Sequence, residues 1–200
     1  GTGHHQGSVA IKKVVMEKQP SLKVGIYNYF ECIYPLLNRT IKFGYTQMIR
    51  YFSYGYDWFY RATKEIEPDS KWQRILNKLG RSKLLDLIQQ CSPKIIVCTF
   101  PTPAGVVSQL KWEGKIDIPL AVVITDVADH SQWIHPKVDA YIVAADIVSS
   151  RLVDRGIPKE KIHVTGIPIR TQFESPSMDP GLWIKLNLNP AIFTLIIMGG

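Results

Sequence analysis

Between residues 94 and 164 short, unbroken apolar runs alternate with longer amphipathic stretches. Residues 94–98 (KIIVC), 119–124 (PLAVVI), 138–143 (VDAYIV) and 162–164 (IHV) are rich in β-branched side chains and bounded by turn signals, so each predicts a strand. Pro101 opens a predicted helix that reaches about Trp112, and residues 145–155 predict another. The strands are uniformly apolar rather than alternating. That pattern predicts an α/β fold with a Rossmann-like, doubly wound parallel sheet, crossover helices and cover on both faces.

Upstream, Val9, Ile11, Val14, Val15 and Met16 recur at helical spacing, so residues 5–18 predict a helix. Residues 22–27 (LKVGIY) read as a short strand, and 39–64 as an aromatic-rich segment of one helix or two, with a break near Gly55. Pro68-Asp69-Ser70 is a stop followed by an N-cap signal, and the helix after it spans about 70–90. Downstream, residues 182–188 predict a short helix and 193–198 (FTLIIM) a strand that runs into Gly199-Gly200. The expected organisation is a first domain over 1–170, a Pro- and Ser-rich connector over 171–180, and the start of a second doubly wound domain over 181–200. Because Gly1-Thr2-Gly3-His4 has the form of a turn that follows a strand, the expectation is a fragment whose first strand is missing.

Composition narrows the function classes. With 46% hydrophobic and 20% charged residues the chain is an ordinary globular one, which excludes a disordered tail. The net charge of +7 favours an anionic partner: nucleic acid, an anionic membrane surface or a phosphorylated small molecule. Cys32, Cys91 and Cys98 form no C-x-x-C and no metal-ligand cluster, so they are expected to be buried thiols of a reducing compartment. No apolar run reaches the ~18 residues of a membrane-spanning helix.

Ligands of open α/β sheets bind beyond the carboxyl ends of the strands. Gly3 and His4, Thr99 and Phe100, and Thr125 and Asp126 all belong at such ends and are expected to meet on one rim. Glycine at position 3 permits close backbone approach to a ligand, and a neutral imidazole at position 4 can take a proton from an alcohol. A bare G-x-G-H reads first as a capping turn with a solvated histidine. The loop after residue 124 carries Asp126, Asp129, His130, Trp133 and His135. Asp126, ending an apolar strand, points to function; for Asp129, His130 and His135 a functional and a merely polar loop are balanced. Residues 41–64 interleave nine aromatics with basic residues, among them Arg50, Tyr51, Trp58 and Arg61. Such a mixture suits the membrane headgroup zone, and the basic residues Arg74, Lys78, Arg81 and Lys83 extend it. The same mixture can stack single-stranded nucleic acid, and about half of the rings are expected in a core.

Together these pieces resemble the amino-terminal domain of the monogalactosyldiacylglycerol synthase and processive diacylglycerol glucosyltransferase family. The resemblance rests on G-T-G-H-H-Q at 1–6, T-F-P at 99–101, T-D at 125–126 with Trp133-Ile134-His135, YIVAAD at 141–146 and G-I-P-I-R at 166–170. It implies a GT-B fold and inverting transfer of glucose or galactose from UDP-glucose or UDP-galactose to diacylglycerol, at the membrane surface on the cytoplasmic side. It further implies His4 as general base with Asp126 in support. Acceptor and lipid contacts are implied at Gly3, Phe100, Pro101 and Trp133 and in the 41–64 segment. Gly199 and Gly200 match the start of a donor-phosphate loop. No cofactor, no metal and no nucleic-acid partner is expected. The alternatives on the same fold are an undecaprenyl-linked N-acetylglucosaminyltransferase and a UDP-sugar epimerase, and outside enzymes a membrane-binding module.

Overall fold

The computed structural model describes residues 2–33, 71–126, 131–173, 180–189 and 191–195. In chain order the helices are α1 (Thr2–Lys18), α2 (Tyr29–Ile33), α3 (Lys71–Cys91), α4 (Pro101–Trp112), α5 (Asp146–Asp154) and α6 (Pro180–Lys185). The strands are β1 (Ile96–Cys98), β2 (Leu120–Val123), β3 (Ala140–Val143) and β4 (Ile162–Val164). They form one sheet in the order β1-β2-β3-β4, every pair parallel. The register sets Val97 beside Ala121, Val122 beside Tyr141 and Ile142 beside His163.

The uniformly apolar strands do what their composition demands in the middle of the sheet. All four residues of β2 are buried, and Tyr141 and Val143 of β3 are covered as well. Helix α4 lies against β1 and β2, burying Ala104, Val106, Val107 and Leu110, and α5 lies against β3 and β4 with Val148 and Leu152 inward. Each fully buried Val or Leu contributes about 1.5–3 kcal/mol of hydrophobic stabilisation, so this layer is the core. At the edges the expectation of full cover fails. Val97 and Val164 are exposed, because β1 and β4 each have a neighbour on one side among the described residues.

The entry to β3 is fixed by Asp139. Its Oδ2 accepts the Leu120 N–H at 2.7 Å and an ion pair from the largely buried Lys111, while its own N–H donates to the Leu120 carbonyl at 2.9 Å. Burial of the carboxyl opposes ionisation, but those donors, with the charges of Lys111 and Lys161, outweigh it and hold Asp139 below its usual range. The start of β2 is thereby tied to the start of β3.

Three sequence expectations are corrected. Residues 22–27 form no strand; Leu22 and Tyr27 are exposed, and no ladder among the described residues takes them in. Phe193–Leu195, as far as the predicted 193–198 strand is described, are likewise unpaired, with Phe193 90% and Leu195 70% exposed. Apolar composition makes a strand only where a neighbour supplies the other half of the hydrogen bonds. Of the cysteines only Cys98 is buried; Cys32 and Cys91 are exposed, the latter at the last residue of α3, where its Sγ lies 3.2 Å from the Tyr27 hydroxyl. The aromatic-basic segment, with Arg50, Tyr51, Trp58 and Arg61, lies outside the described residues, as do Asp129, His130, Gly199 and Gly200. Of the basic residues expected to extend it, Arg81 is ion-paired to Glu113, and Lys83 donates to the Ile33 carbonyl at 2.9 Å.

Candidate active site

A parallel sheet delivers every strand's carboxyl end to the same rim. Here Thr99 and Phe100 follow β1 and Thr125 and Asp126 follow β2, with Ile124 still tied to β3 through its N–H on the Ile142 carbonyl at 2.9 Å. Helix α1 crosses this rim. It already begins at Thr2, so Gly3 and His4 stand in its first turn rather than in a loop ahead of it. The approach is close because Gly7 faces the sheet: a Cβ there would stand 3.7 Å from Thr125 Cγ2. At Gly3 a Cβ would meet nothing within 4 Å, which leaves that side of the turn open.

His4 is half-buried and held at both its backbone and its ring. Its carbonyl accepts hydrogen bonds from Ser8 Oγ (3.2 Å) and Thr99 Oγ1 (3.1 Å). Its Nδ1 lies 2.8 Å from Thr125 Oγ1. The ring meets Phe100 edge-on at a centroid distance of 5.0 Å and Trp133 at 6.1 Å. Phe100 in turn packs edge-on against Phe30 of α2, at 5.8 Å. Burial pushes the His4 imidazole below its ordinary value of 6.5; Asp126 and the Thr99 carbonyl pull the other way, and burial prevails. At neutral pH the ring is therefore largely uncharged, with Nδ1 engaged by Thr125.

The rim thus brings together His4, Phe100, Trp133 and the T-D pair, as the sequence placement requires. The two members of the T-D pair meet His4 differently. Thr125 touches the imidazole, whereas Asp126 is exposed and acts on it through charge. Trp133 is 2% exposed and forms a wall behind His4. His135 is also interior. Its Nε2 lies 3.3 Å from the Pro101 carbonyl, and the Tyr141 hydroxyl accepts the His135 N–H at 3.0 Å while donating to the His135 carbonyl at 3.2 Å. Burial drives its pKa down to about 4 against the pull of the Pro101 and Gln132 carbonyls. His135 is thus a neutral brace between the 131–135 turn and the first turn of α4, which carries Pro101 and follows directly on Phe100. Ser8 and Phe30 have no role in the sequence expectation, and Thr99 is placed on the rim there without its contact to His4. The His4–Ser8 spacing of one helical turn was the available signal for the first.

Among the described residues no group of three or more His, Cys, Asp or Glu is placed to hold a metal ion, and no helix is long and apolar enough to cross a membrane.

The family model described as monogalactosyldiacylglycerol (MGDG) synthase matches residues 4–169, from His4 itself to Ile169 within the G-I-P-I-R segment. The chain belongs to the MGDG synthase family. Among curated relatives, it is 35% identical over 202 residues to a processive diacylglycerol beta-glucosyltransferase of Staphylococcus haemolyticus. It is 32% identical over 201 residues to the enzyme of that name from Staphylococcus aureus. Each alignment covers 100% of this chain and 50% of the relative, so the chain spans about half the length of the curated relatives it matches. The parallel sheet with its helices agrees with the amino-terminal half of a GT-B fold. In this member of the MGDG synthase family, Phe100, Thr125 and Trp133 are the side chains set against the His4 ring.

Proposed function

We propose that this MGDG synthase family chain forms the acceptor side of an inverting glycosyltransferase that moves a hexose from UDP-glucose or UDP-galactose to the free hydroxyl of diacylglycerol. The observation that carries the reading is that the family match begins on a half-buried, neutral histidine at the strand-end rim, walled by Phe100 and Trp133. In the step, the lipid hydroxyl gives its proton to His4 Nε2 as its oxygen attacks the anomeric carbon. The carbon–oxygen bond to the diphosphate breaks, and UDP leaves with the electron pair. Attack from the face opposite the leaving group inverts the centre. A base already neutral at working pH is what general-base transfer from an alcohol requires.

In this reading residues 1–170 make the acceptor domain, 171–180 the connector, and 181–200 the beginning of the donor-binding domain, with Gly199 and Gly200 in its phosphate loop. Gly3, Phe100, Pro101 and Trp133 shape the acceptor pocket. Arg50, Tyr51, Trp58 and Arg61 meet an anionic bilayer from the cytoplasmic side, consistent with a basic chain of net charge +7.

The test is to incubate the complete protein with diacylglycerol in mixed micelles and each UDP-hexose, then resolve the lipids. A new glycolipid from one donor is the expected result. Hydrolysis or epimerisation of the donor, without glycolipid, would reject the lipid acceptor.

A further inference from the structure

We infer that Thr125 is the positioning residue of the site: its hydroxyl accepts the His4 Nδ1–H and so fixes the imidazole in the tautomer whose Nε2 carries the lone pair. The inference rests on His4 being the base proposed above, and it gives the choice of tautomer to a neutral hydroxyl while the neighbouring carboxylate acts through its charge.

A neutral imidazole has one protonated and one bare nitrogen, and the partner of one decides the state of the other. Thr125 Oγ1 is 2.8 Å from Nδ1. A hydroxyl can donate or accept, so distance alone permits both tautomers. The requirement that Nε2 receive the acceptor's proton selects the one in which Nδ1 donates to Oγ1. The His4 carbonyl is tied to Ser8 and Thr99, and the ring packs against Phe100 and Trp133, which favours this contact. After proton transfer both ring nitrogens carry hydrogens, and the Nδ1–H bond to Thr125 persists, so the hydroxyl need not reorient during the reaction. Asp126, exposed and one residue on, stabilises the imidazolium through its field without setting the tautomer.

Thr125→Val replaces the hydroxyl with a methyl and keeps the Cγ2 that faces Gly7, so the packing of α1 on the rim is retained. Two measurements on the complete protein test the assignment. In the first, imidazole 15N spectra are recorded at neutral pH, with the His4 signals identified by their loss in His4→Gln. Protonated Nδ1 and bare Nε2 are expected in the wild type, and a shift toward the opposite tautomer in Thr125→Val. In the second, kcat for glycolipid formation should fall roughly tenfold to a hundredfold in Thr125→Val, part of the ~10²–10⁴ that a positioned base supplies. KM for the UDP-hexose should stay unchanged, and Thr125→Ser should restore kcat. A wild-type Nδ1 found bare, a tautomer indifferent to Thr125→Val, or an unchanged kcat would overturn the role. The 15N result stands independently of turnover, so loss of the glycosyltransferase reading itself, seen as no glycolipid from the wild type, is told apart from loss of the Thr125 role.

Discussion

Ser8 and Thr99 are 91 positions apart in the chain, yet their hydroxyl oxygens lie 2.9 Å from each other. Both also reach the same acceptor, the carbonyl of His4. This small cluster joins α1 to the end of β1 and holds the backbone of the proposed base against the sheet. Hydroxyls that share an acceptor and touch each other are not independent, so their removal is expected to be non-additive. Ser8→Ala and Thr99→Val should each cost about 0.5–1.5 kcal/mol. The double variant should cost measurably less or more than their sum in a denaturant-monitored cycle. Strict additivity would show that the two hydroxyls act separately.

Removing the base should be decisive for turnover. His4→Ala in the complete protein is expected to lower kcat by about 10²–10⁴, with near-normal turnover excluding His4 from that role. The pH dependence follows from the direction of its shift. Burial lowers the His4 pKa below 6.5, against the pull of Asp126 and the Thr99 carbonyl. The base is thus free at neutral pH, and activity is lost only as pH falls through a value below 6.5. The acidic limb of kcat/KM should lie there in the wild type. Asp126→Asn removes the group that favours the imidazolium, so it should move that limb to still lower pH. A limb at or above the ordinary histidine value would contradict the burial argument.

Much of this arrangement was legible in the chain. The four strands and α4 follow from apolar runs between turn signals, and a parallel sheet then obliges Phe100, Thr125 and Asp126 to share a rim. The partner of His4 was not legible. Consecutive residues leaving a strand point to opposite sides, so whether Thr125 or Asp126 faces the imidazole depends on where α1 crosses, and that is set by the close approach at Gly7. The same holds for His135: a histidine two residues after Trp133 is polar on paper and interior in space, because Tyr141 and Pro101 satisfy it. Residues 22–27 fail in the opposite direction, having a strand's composition without a strand's neighbour.

The interior His135 makes stability depend on acid. Its folded pKa is about 4 against an ordinary 6.5, so the unfolded chain binds the proton first as pH falls. The stability it permits is complete above pH 6.5 and declines down to about pH 4, where the folded ring also charges. The full loss amounts to about 3 kcal/mol. Equilibrium unfolding followed across that window should show the decline, and His135→Gln, which keeps a donor for the Pro101 carbonyl and cannot titrate, should flatten it. Equal slopes in the two proteins would mean that another group carries the acid sensitivity.

The Tyr141 hydroxyl serves the same brace from β3, accepting the His135 N–H and donating to its carbonyl. Its burial raises the phenol pKa to about 12, so it stays protonated and available as a donor throughout the neutral range. Tyr141→Phe keeps the ring in the core and strips both hydrogen bonds from an interior backbone, which should cost about 1–3 kcal/mol. Because the brace reaches Pro101, next to Phe100, and the turn ending at Trp133, the loss should also loosen the aromatic wall around His4. Trp133 fluorescence should then become more accessible to a soluble quencher before global unfolding. A destabilised Tyr141→Phe whose Trp133 is quenched no more than in the wild type would confine the effect of the hydroxyl to the core and detach it from the site.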